Sequence, residues 1–198
     1  GKAVRHCTAK VGTRRLLRQN AWYMIRYAIH QYVPARKANG FPFHVRDTNR
    51  MILGFKDGRN VYTRWAVRQF AMTLSPLDMT DTVIVCVPAS TPYSHTRRWK
   101  MFLDLLCRRT GAENGFGYVA VTGSRKRAHV TGDYELCANI KRYVRIDAES
   151  LRGRNVLVID DIYTTGQSSS SFIGALEAAG ANVVMAVFLA KTRLRIRR

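Results

Sequence analysis

Short apolar runs alternate with helical patterns along most of this chain, and this alternation limits the folds open to it. Three of the runs are apolar almost throughout: TVIVCV at residues 82–87, VLVID at 156–160 and NVVMAVFLA at 182–190. Strands of a parallel sheet that is buried on both faces have this composition, because neither face meets water. A further strand is predicted for GYVAV at 117–121. The runs predict an α/β fold with an open, mostly parallel sheet flanked by helices.

Helical spacing fills the intervals between these runs. Apolar residues recur three and four positions apart over residues 61–74, 98–109 and 168–179, which predicts a helix in each range. Gly180 suits the C-terminal end of the last helix. Residues 34–50 lack this spacing, and we expect a loop there with one edge strand.

The N-terminal part predicts an extra amphipathic helix over residues 14–33. Its apolar residues fall on one side, arginines occupy much of the other, and Pro34 ends it. Two interpretations stay open: the helix packs on the core, or it is a basic arm that docks nucleic acid or a partner. We therefore divide the chain into a basic N-terminal extension at residues 1–49 and a main domain at residues 50–198.

The charge of the chain is far from balanced. Lys and Arg number 33 against 13 for Asp and Glu, which gives a net charge of +20. Such a surface attracts polyanions such as nucleic acid, phosphorylated metabolites or acidic lipid, although a solvated basic face is the simpler interpretation. No apolar run reaches the ~18–20 residues that a membrane-spanning helix needs, and no signal-peptide core is present. We expect a cytoplasmic protein without a membrane partner.

The cysteines and histidines do not predict a metal site. The four cysteines are scattered without a C-x-x-C pair, so a zinc ribbon is not supported. Cys86 lies in an apolar strand and Cys107 on the apolar side of a helix, and we expect both to be reduced core residues. The histidines lack metal-ligand spacing, and His95 is interpreted with the others as an ordinary surface or packing residue.

The stretch VLVIDDIYTTGQSSSS at residues 156–171 carries the chemistry. Asp160 and Asp161 end a buried strand, and ligands of open parallel sheets bind at the carboxyl ends of strands. The next small residues present backbone N–H groups and hydroxyls at the first turn of a helix, which favours a phosphate. Neither a Walker loop nor a dinucleotide fingerprint is present. A phosphorylated ribose suits both features, whereas the simpler interpretation of the two aspartates is a helix N-cap.

VLVIDDIYTTGQS resembles the phosphoribosyl pyrophosphate (PRPP) motif of type I phosphoribosyltransferases, most closely in the ComF-like (amidophosphoribosyltransferase-like) members. That motif has apolar residues, two acidic residues, two variable positions and then Thr-Thr/Ser-Gly-x-Thr/Ser. FKDGRN resembles the basic turn of the family, and VIVCVPAST resembles its pyrophosphate loop, so the resemblance covers roughly residues 50–192. The sequence departs from the family at RRWKM, where the family has R-G-F-N-Q, and it lacks a cysteine-rich module.

The resemblance implies a role for each matching residue. The two acidic residues, which are the catalytic candidates, would hold the ribose hydroxyls. The next five residues would cradle the 5′-phosphate, the segment after residue 87 would face pyrophosphate, and the polar, basic excursion at residues 123–142 would close over the site. The implied residues, in that order, are Asp160 and Asp161; Thr164, Thr165, Gly166, Gln167 and Ser168; Ala89, Ser90, Arg97 and Arg98; and Arg125, Lys126 and Arg127.

The resemblance implies a PRPP-dependent phosphoribosyltransferase, which is a pentosyl-transferring glycosyltransferase. It would transfer ribose 5-phosphate to a nitrogenous base or amine and release pyrophosphate. Mg²⁺ would arrive with PRPP, with Asp160 or Asp161 as a candidate ligand, and a homodimer is common in the family. An alternative stays open: a binding protein that keeps the fold for a regulatory or DNA-uptake role and contacts nucleic acid through its basic surface.

Overall fold

The computed structural model describes residues 24–34, 41–124 and 140–193 of the chain. The strands in these ranges are β1 (Ile25–Tyr32), β2 (Thr82–Cys86), β3 (Glu113–Asn114), β4 (Val119–Val121), β5 (Val144–Ile146), β6 (Asn155–Tyr163) and β7 (Asn182–Thr192). Five of them form one sheet in the order β1-β7-β6-β2-β3, and every neighbouring pair in it is parallel. The predicted α/β fold with a mostly parallel sheet is therefore confirmed.

The helices predicted over residues 61–74, 98–109 and 168–179 are present, and only the start of the second differs by more than one residue. The helices of the described ranges are α1 (Phe43–Lys56), α2 (Asn60–Leu74), α3 (Pro92–Thr110), α4 (Ala148–Leu151) and α5 (Gln167–Ala178). Helix α3 begins six residues earlier than predicted, because Thr91 caps it by accepting a hydrogen bond from the Ser94 amide at 3.1 Å. Proline at the first helical position suits this start.

The central strand β6 divides the core into two layers. Leu157 and Ile159 pack with α1, α2 and α3 on one face of the sheet, whereas Val156 and Val158 pack with α5 on the other. Successive side chains of a strand point to opposite faces, so a strand that is covered on both sides must be apolar throughout. This arrangement leaves the carboxyl ends of β2 and β6 side by side at one edge of the sheet.

The predicted N-terminal helix over residues 14–33 is wrong over its second half. Residues 25–32 form β1, which pairs in parallel with β7 from Ile25 opposite Met185 to Tyr32 opposite Thr192. The apolar residues of this stretch fit helical spacing. Pairing with β7 nevertheless forms backbone hydrogen bonds along the strand and places Ala28 and Ile29 on opposite faces of the sheet. Residues 14–23 lie outside the described residues.

The predicted loop and edge strand at residues 34–50 are also wrong from residue 43 onward, where α1 begins. Ile52 and Phe55 are completely buried on its inner side. Asn49, also buried, donates to the Val33 carbonyl at 2.6 Å and accepts from the Val33 amide at 3.2 Å. The boundary predicted between residues 49 and 50 falls within α1, so the described part of the extension packs on the main sheet.

The strand predicted at residues 117–121 is shorter and lies elsewhere. Only Val119–Val121 is a strand, and it pairs antiparallel with β5 in the separate two-stranded sheet. A 3-10 helix over Gly115–Tyr118 precedes it, and β3 takes the edge position of the main sheet. The side chain of Asn114 caps this turn by accepting from the Phe116 amide at 3.0 Å, which removes the turn from the sheet.

Two further expectations concern the cysteines and membrane-spanning helices. Cys86 and Cys107 are buried free thiols, as expected, whereas Cys7 and Cys137 lie outside the described residues. Among the described helices, none combines the length and the apolar character that crossing a membrane requires.

Candidate ligand site at the carboxyl ends of β2 and β6

Three segments meet where β2 and β6 end. The Val87 amide donates to the Ile159 carbonyl at 2.8 Å, so the loop after β2 starts directly beside the two aspartates of β6. The turn after α1 joins them through Arg98 of α3, whose Nε donates to the Lys56 carbonyl at 2.9 Å. The sequence therefore brings residues distant along the chain to the edge at which a parallel sheet binds its ligands.

Asp161 is the buried member of the acidic pair. Its side chain is only 7% exposed, and Oδ1 accepts from the Ile162 amide at 2.6 Å. Its Oδ2 lies 2.7 Å from Arg98 Nη1 and 4.0 Å from Lys56 Nζ. Both contacts are ion pairs and not hydrogen bonds, since the buried Oδ2 accepts no hydrogen bond from the described residues. Asp161 thus pairs closely with Arg98 and more distantly with Lys56, and its Oδ2 retains hydrogen-bonding capacity.

Asp160 has a different environment. Its side chain is half-buried, and Oδ1 accepts from the Asp161 amide at 2.8 Å. Burial, and next the charge of Asp161, raise the pKa of Asp160 to about 8, whereas the hydrogen bond from the Asp161 amide, Arg98 and Lys56 oppose the shift. The shift favours the neutral form of Asp160, which donates a hydrogen bond, over the charged form, which only accepts.

The loop after the aspartates turns sharply into α5. Gly166 caps the helix with φ of +79°, a conformation that favours glycine, and the Ser170 amide donates to its carbonyl at 2.8 Å. The N–H groups of a first helical turn have no intrahelical acceptors and carry the positive end of the helix dipole. Thr164, Thr165 and Gln167 are exposed there, and Thr164 Oγ1 lies 3.0 Å from Thr192 Oγ1. The loop therefore presents donors suited to an anion.

Tyr163, at a variable position of the motif, supports this loop. Its ring packs edge-on against Phe188 with centroids 4.8 Å apart, and Lys191 Nζ lies 5.7 Å from the ring centroid. A Cβ added at Gly166 would collide with the Tyr163 phenol. Glycine at 166 is thus required twice, by its φ and by the ring beside it. Sequence reasoning found no role for Tyr163, because nothing in the motif shows where a variable side chain packs.

The loop after β2 is held by a buried histidine. The Ala89 amide lies 3.4 Å from His95 Nδ1, and the imidazole stacks on Phe116 with centroids 5.4 Å apart. Burial, and next the charge of Arg98, lower the pKa of His95 to about 4. The ring is therefore neutral at pH 7, with Nδ1 as an acceptor. Ser90, the other loop residue predicted to face pyrophosphate, is partly exposed.

Arg97 and Arg98 point to different places although they are neighbours. Arg98 lies in the site, whereas the exposed Arg97 guanidinium lies over the Tyr93 ring at 5.4 Å from its centroid. Gly58, with φ of +69°, packs so closely on α3 that a Cβ would lie 2.8 Å from the Arg97 carbonyl oxygen. The FKDGRN turn at residues 55–60 therefore packs directly on α3.

The structure brings part of the predicted set together. Asp160, Asp161 and Arg98 meet, and Lys56, which sequence reasoning did not select, joins them. The one sequence feature that pointed to Lys56 was its place in FKDGRN, which resembles the basic turn of the family. The three cations predicted to close over the site, Arg125, Lys126 and Arg127, lie outside the described residues.

Of the acidic pair, Asp161 is the member that fits a magnesium ion carried by a substrate, because the neutral form of Asp160 does not ligate a metal. Carboxylate oxygens are ligands that Mg²⁺ prefers, and Mg²⁺ commonly uses one or two of them together with substrate phosphates. Asp161 Oδ2 accepts no hydrogen bond from the described residues, so it retains capacity for such a contact. In the described ranges no group of three or more His, Cys, Asp or Glu side chains could hold a metal ion by itself.

Comparisons with known proteins give a distant likeness. No family model matches the chain, and no curated protein matches it either. Among solved structures, it is similar to a hypoxanthine phosphoribosyltransferase from Staphylococcus aureus, with 17% sequence identity, a TM-score of 0.38 and coverage of 68% of each chain. A likeness this distant supports no inference about activity or ligand. The fold and site define an α/β protein with paired carboxylates beside a candidate anion loop.

Proposed function

We propose that this protein is a PRPP-dependent phosphoribosyltransferase that transfers ribose 5-phosphate to a nitrogenous base or amine and releases pyrophosphate. The observation that carries the proposal is the position of Asp160 and Asp161 at the end of β6, directly before the helix start capped by Gly166. Carboxylates and a phosphate loop only a few residues apart match the two ends of a ribose 5-phosphate. The motif resemblance at residues 156–168 supports the same assignment.

In this proposal the acidic pair binds the ribose hydroxyls. Protonated Asp160 donates to one hydroxyl oxygen, and Asp161 accepts from a hydroxyl while Arg98 keeps its carboxylate in place. The 5′-phosphate binds the amides and hydroxyls of residues 164–168. These contacts fix C1 of the ribose toward the loop after β2, where Ala89 and Ser90 would face pyrophosphate.

Transfer then needs no covalent intermediate with the protein. The bond between C1 and the pyrophosphate oxygen breaks, and the oxygen leaves with the electron pair. The acceptor nitrogen forms the new bond to C1 and loses a proton to solvent. Positive charge that develops on the ribose is stabilised by the departing pyrophosphate, with a smaller contribution from the Asp161 carboxylate because Arg98 already pairs with it. When bound with PRPP, Mg²⁺ supplies positive charge to the pyrophosphate oxygens. Closure by Arg125, Lys126 and Arg127, which would exclude water, stays a prediction.

The binding step is tested by titrating the protein with PRPP and Mg²⁺ in a calorimeter. The double variant Asp160→Asn/Asp161→Asn should lose at least tenfold in PRPP affinity. Asp147→Asn is the matched control, because it removes a carboxylate at the helix cap of α4, where asparagine also caps well. Unchanged affinity in the double variant would show that the acidic pair is not the ribose site.

A second candidate function rests on the net charge of +20. In this alternative the protein keeps the fold as a binding protein with a nucleic-acid-associated role. Retained PRPP affinity without pyrophosphate release, for any acceptor, distinguishes it from the transferase.

A further inference from the structure

The outer face of α3 carries an exposed basic groove that the candidate ligand site does not use. The groove has a volume of about 370 Å³ and runs along one helix. Its cations are Arg97, Lys100 and Arg108, all exposed. At a rise of about 1.5 Å per residue, the first and last of them are about 16 Å apart along the helix. We call this surface the α3 groove.

The single acidic side chain of the α3 groove does not cancel these cations. Asp104 is partly buried, and its Oδ1 accepts from Asn114 Nδ2 at 2.7 Å, which holds the carboxylate toward β3. Arg108 Nε donates to the Asp104 carbonyl, not to its carboxylate, at 3.0 Å. The groove therefore keeps an excess of positive charge, and repeated cations along one line suit a polymer of phosphates.

An exposed aromatic side chain lies at the N-terminal end of the α3 groove. Tyr93 is 72% exposed, and the Arg97 guanidinium lies over its ring. Aromatic rings beside cations are the means by which proteins stack unpaired bases while they contact the backbone. Met101 and Leu105 line the groove between the cations and offer further apolar surface. A duplex, whose bases are already stacked, would not use Tyr93 in this way.

We propose that the α3 groove binds single-stranded nucleic acid, with a base on Tyr93 and backbone phosphates on Arg97, Lys100 and Arg108. This inference assigns a binding surface to the second candidate function, the nucleic-acid-associated role. It does not depend on phosphoribosyl transfer. Arg97 and Arg98 are consecutive on α3 but point to different places, so the α3 groove is separate from the candidate ligand site.

The test is fluorescence anisotropy with a labelled oligothymidylate at a series of salt concentrations. The logarithm of the binding constant should fall linearly with the logarithm of the salt concentration, by about 0.7 per phosphate contact on a single strand. Lys100→Gln/Arg108→Gln should reduce that slope by about 1.4, because it removes two contacts. Tyr93→Leu should weaken binding about tenfold, as loss of one stacked base predicts, and leave the slope unchanged.

The control is Arg142→Gln/Arg145→Gln, which removes the same charge from exposed residues on the side of the two-stranded sheet. Its slope should equal that of the wild type. An equal loss of slope in both double variants would overturn the assignment to the α3 groove. Absence of binding at low salt, duplex binding as tight as single-strand binding, or full affinity of Tyr93→Leu would overturn the proposal as well. Lys100 and Arg108 lie outside the PRPP site, so PRPP affinity should persist in their variant whatever the oligonucleotide result.

Discussion

Arg98 on α3 and Asp161 at the end of β6 form a largely buried ion pair, with 2.7 Å between Nη1 and Oδ2. Arg98 also donates to the Lys56 carbonyl, so one guanidinium connects α1, α3 and β6. The pair neutralises a carboxylate that would otherwise be costly to bury, and it fixes the orientation of that carboxylate toward the candidate site.

Removing Arg98 should leave Asp161 buried without its main partner. We expect Arg98→Met to lower the free energy of unfolding by about 3–5 kcal/mol, whereas Arg98→Met combined with Asp161→Leu recovers most of the loss. Urea unfolding of the two single variants and the double variant gives the coupling energy. Strictly additive effects of the two substitutions would mean that the ion pair has no energetic role.

His95 should make stability depend on pH in a specific window. Its pKa is lowered from 6.5 to about 4 in the folded protein, so the unfolded chain binds a proton more readily. The stability that neutral His95 contributes is complete above pH 6.5 and is lost as pH falls toward 4, by about 3 kcal/mol in total.

His95→Asn keeps an acceptor for the Ala89 amide and removes the titration. Urea unfolding at pH 7 and pH 4.5 should show a smaller loss in this variant than in the wild type. The exposed His44, substituted in the same way, provides the control. If His95→Asn loses as much stability on acidification as the wild type, the buried neutral histidine is not the cause.

Gly166→Ala should damage the candidate anion loop before α5. Alanine is strained at φ of +79°, and its Cβ would collide with Tyr163, so we expect a loss of at least about 1 kcal/mol and weaker PRPP binding. Gly174→Ala, in the middle of α5 with open space around its Cβ, should instead stabilise by about 0.5–1 kcal/mol. Thermal unfolding and PRPP titration of both variants check this, and equal effects at the two glycines would contradict it.

Asn49→Leu should loosen the packing of α1 on β1. Asn49 satisfies both the amide and the carbonyl of Val33 in the interior, and leucine would leave both without a partner. We expect a loss of about 3 kcal/mol in the free energy of unfolding. Thr48→Ala, next to it and outside this contact, is the control in the same urea titration. A loss no greater than that of the control would show that the contact is dispensable.

The sequence predicted the parts of the fold in which local pattern and tertiary environment agree. Residues 156–160 read as a buried strand because both of its faces are covered, and this is what the structure shows. Residues 25–32 did not read as a strand. They form an edge strand with partly exposed residues, which keeps no strict alternation, and their helical spacing predicted a helix instead. Pairing with β7, distant along the chain, decided its structure.

Apart from Arg98, the candidate site was predictable only where one motif carries it. Asp160, Asp161 and the loop to residue 168 are contiguous, so their proximity follows from the sequence. Lys56 and His95 come from other elements, and their contacts with the site depend on how α1 and α3 pack. Apart from the place of Lys56 in FKDGRN, no local pattern marks such contacts.

Transfer from PRPP is tested by measuring pyrophosphate release from PRPP with Mg²⁺ over a panel of nitrogenous bases and amines. We expect release that depends on one acceptor and that Asp160→Asn/Asp161→Asn abolishes. Binding of PRPP without release for any acceptor, or release that persists in the double variant, would contradict the proposed function.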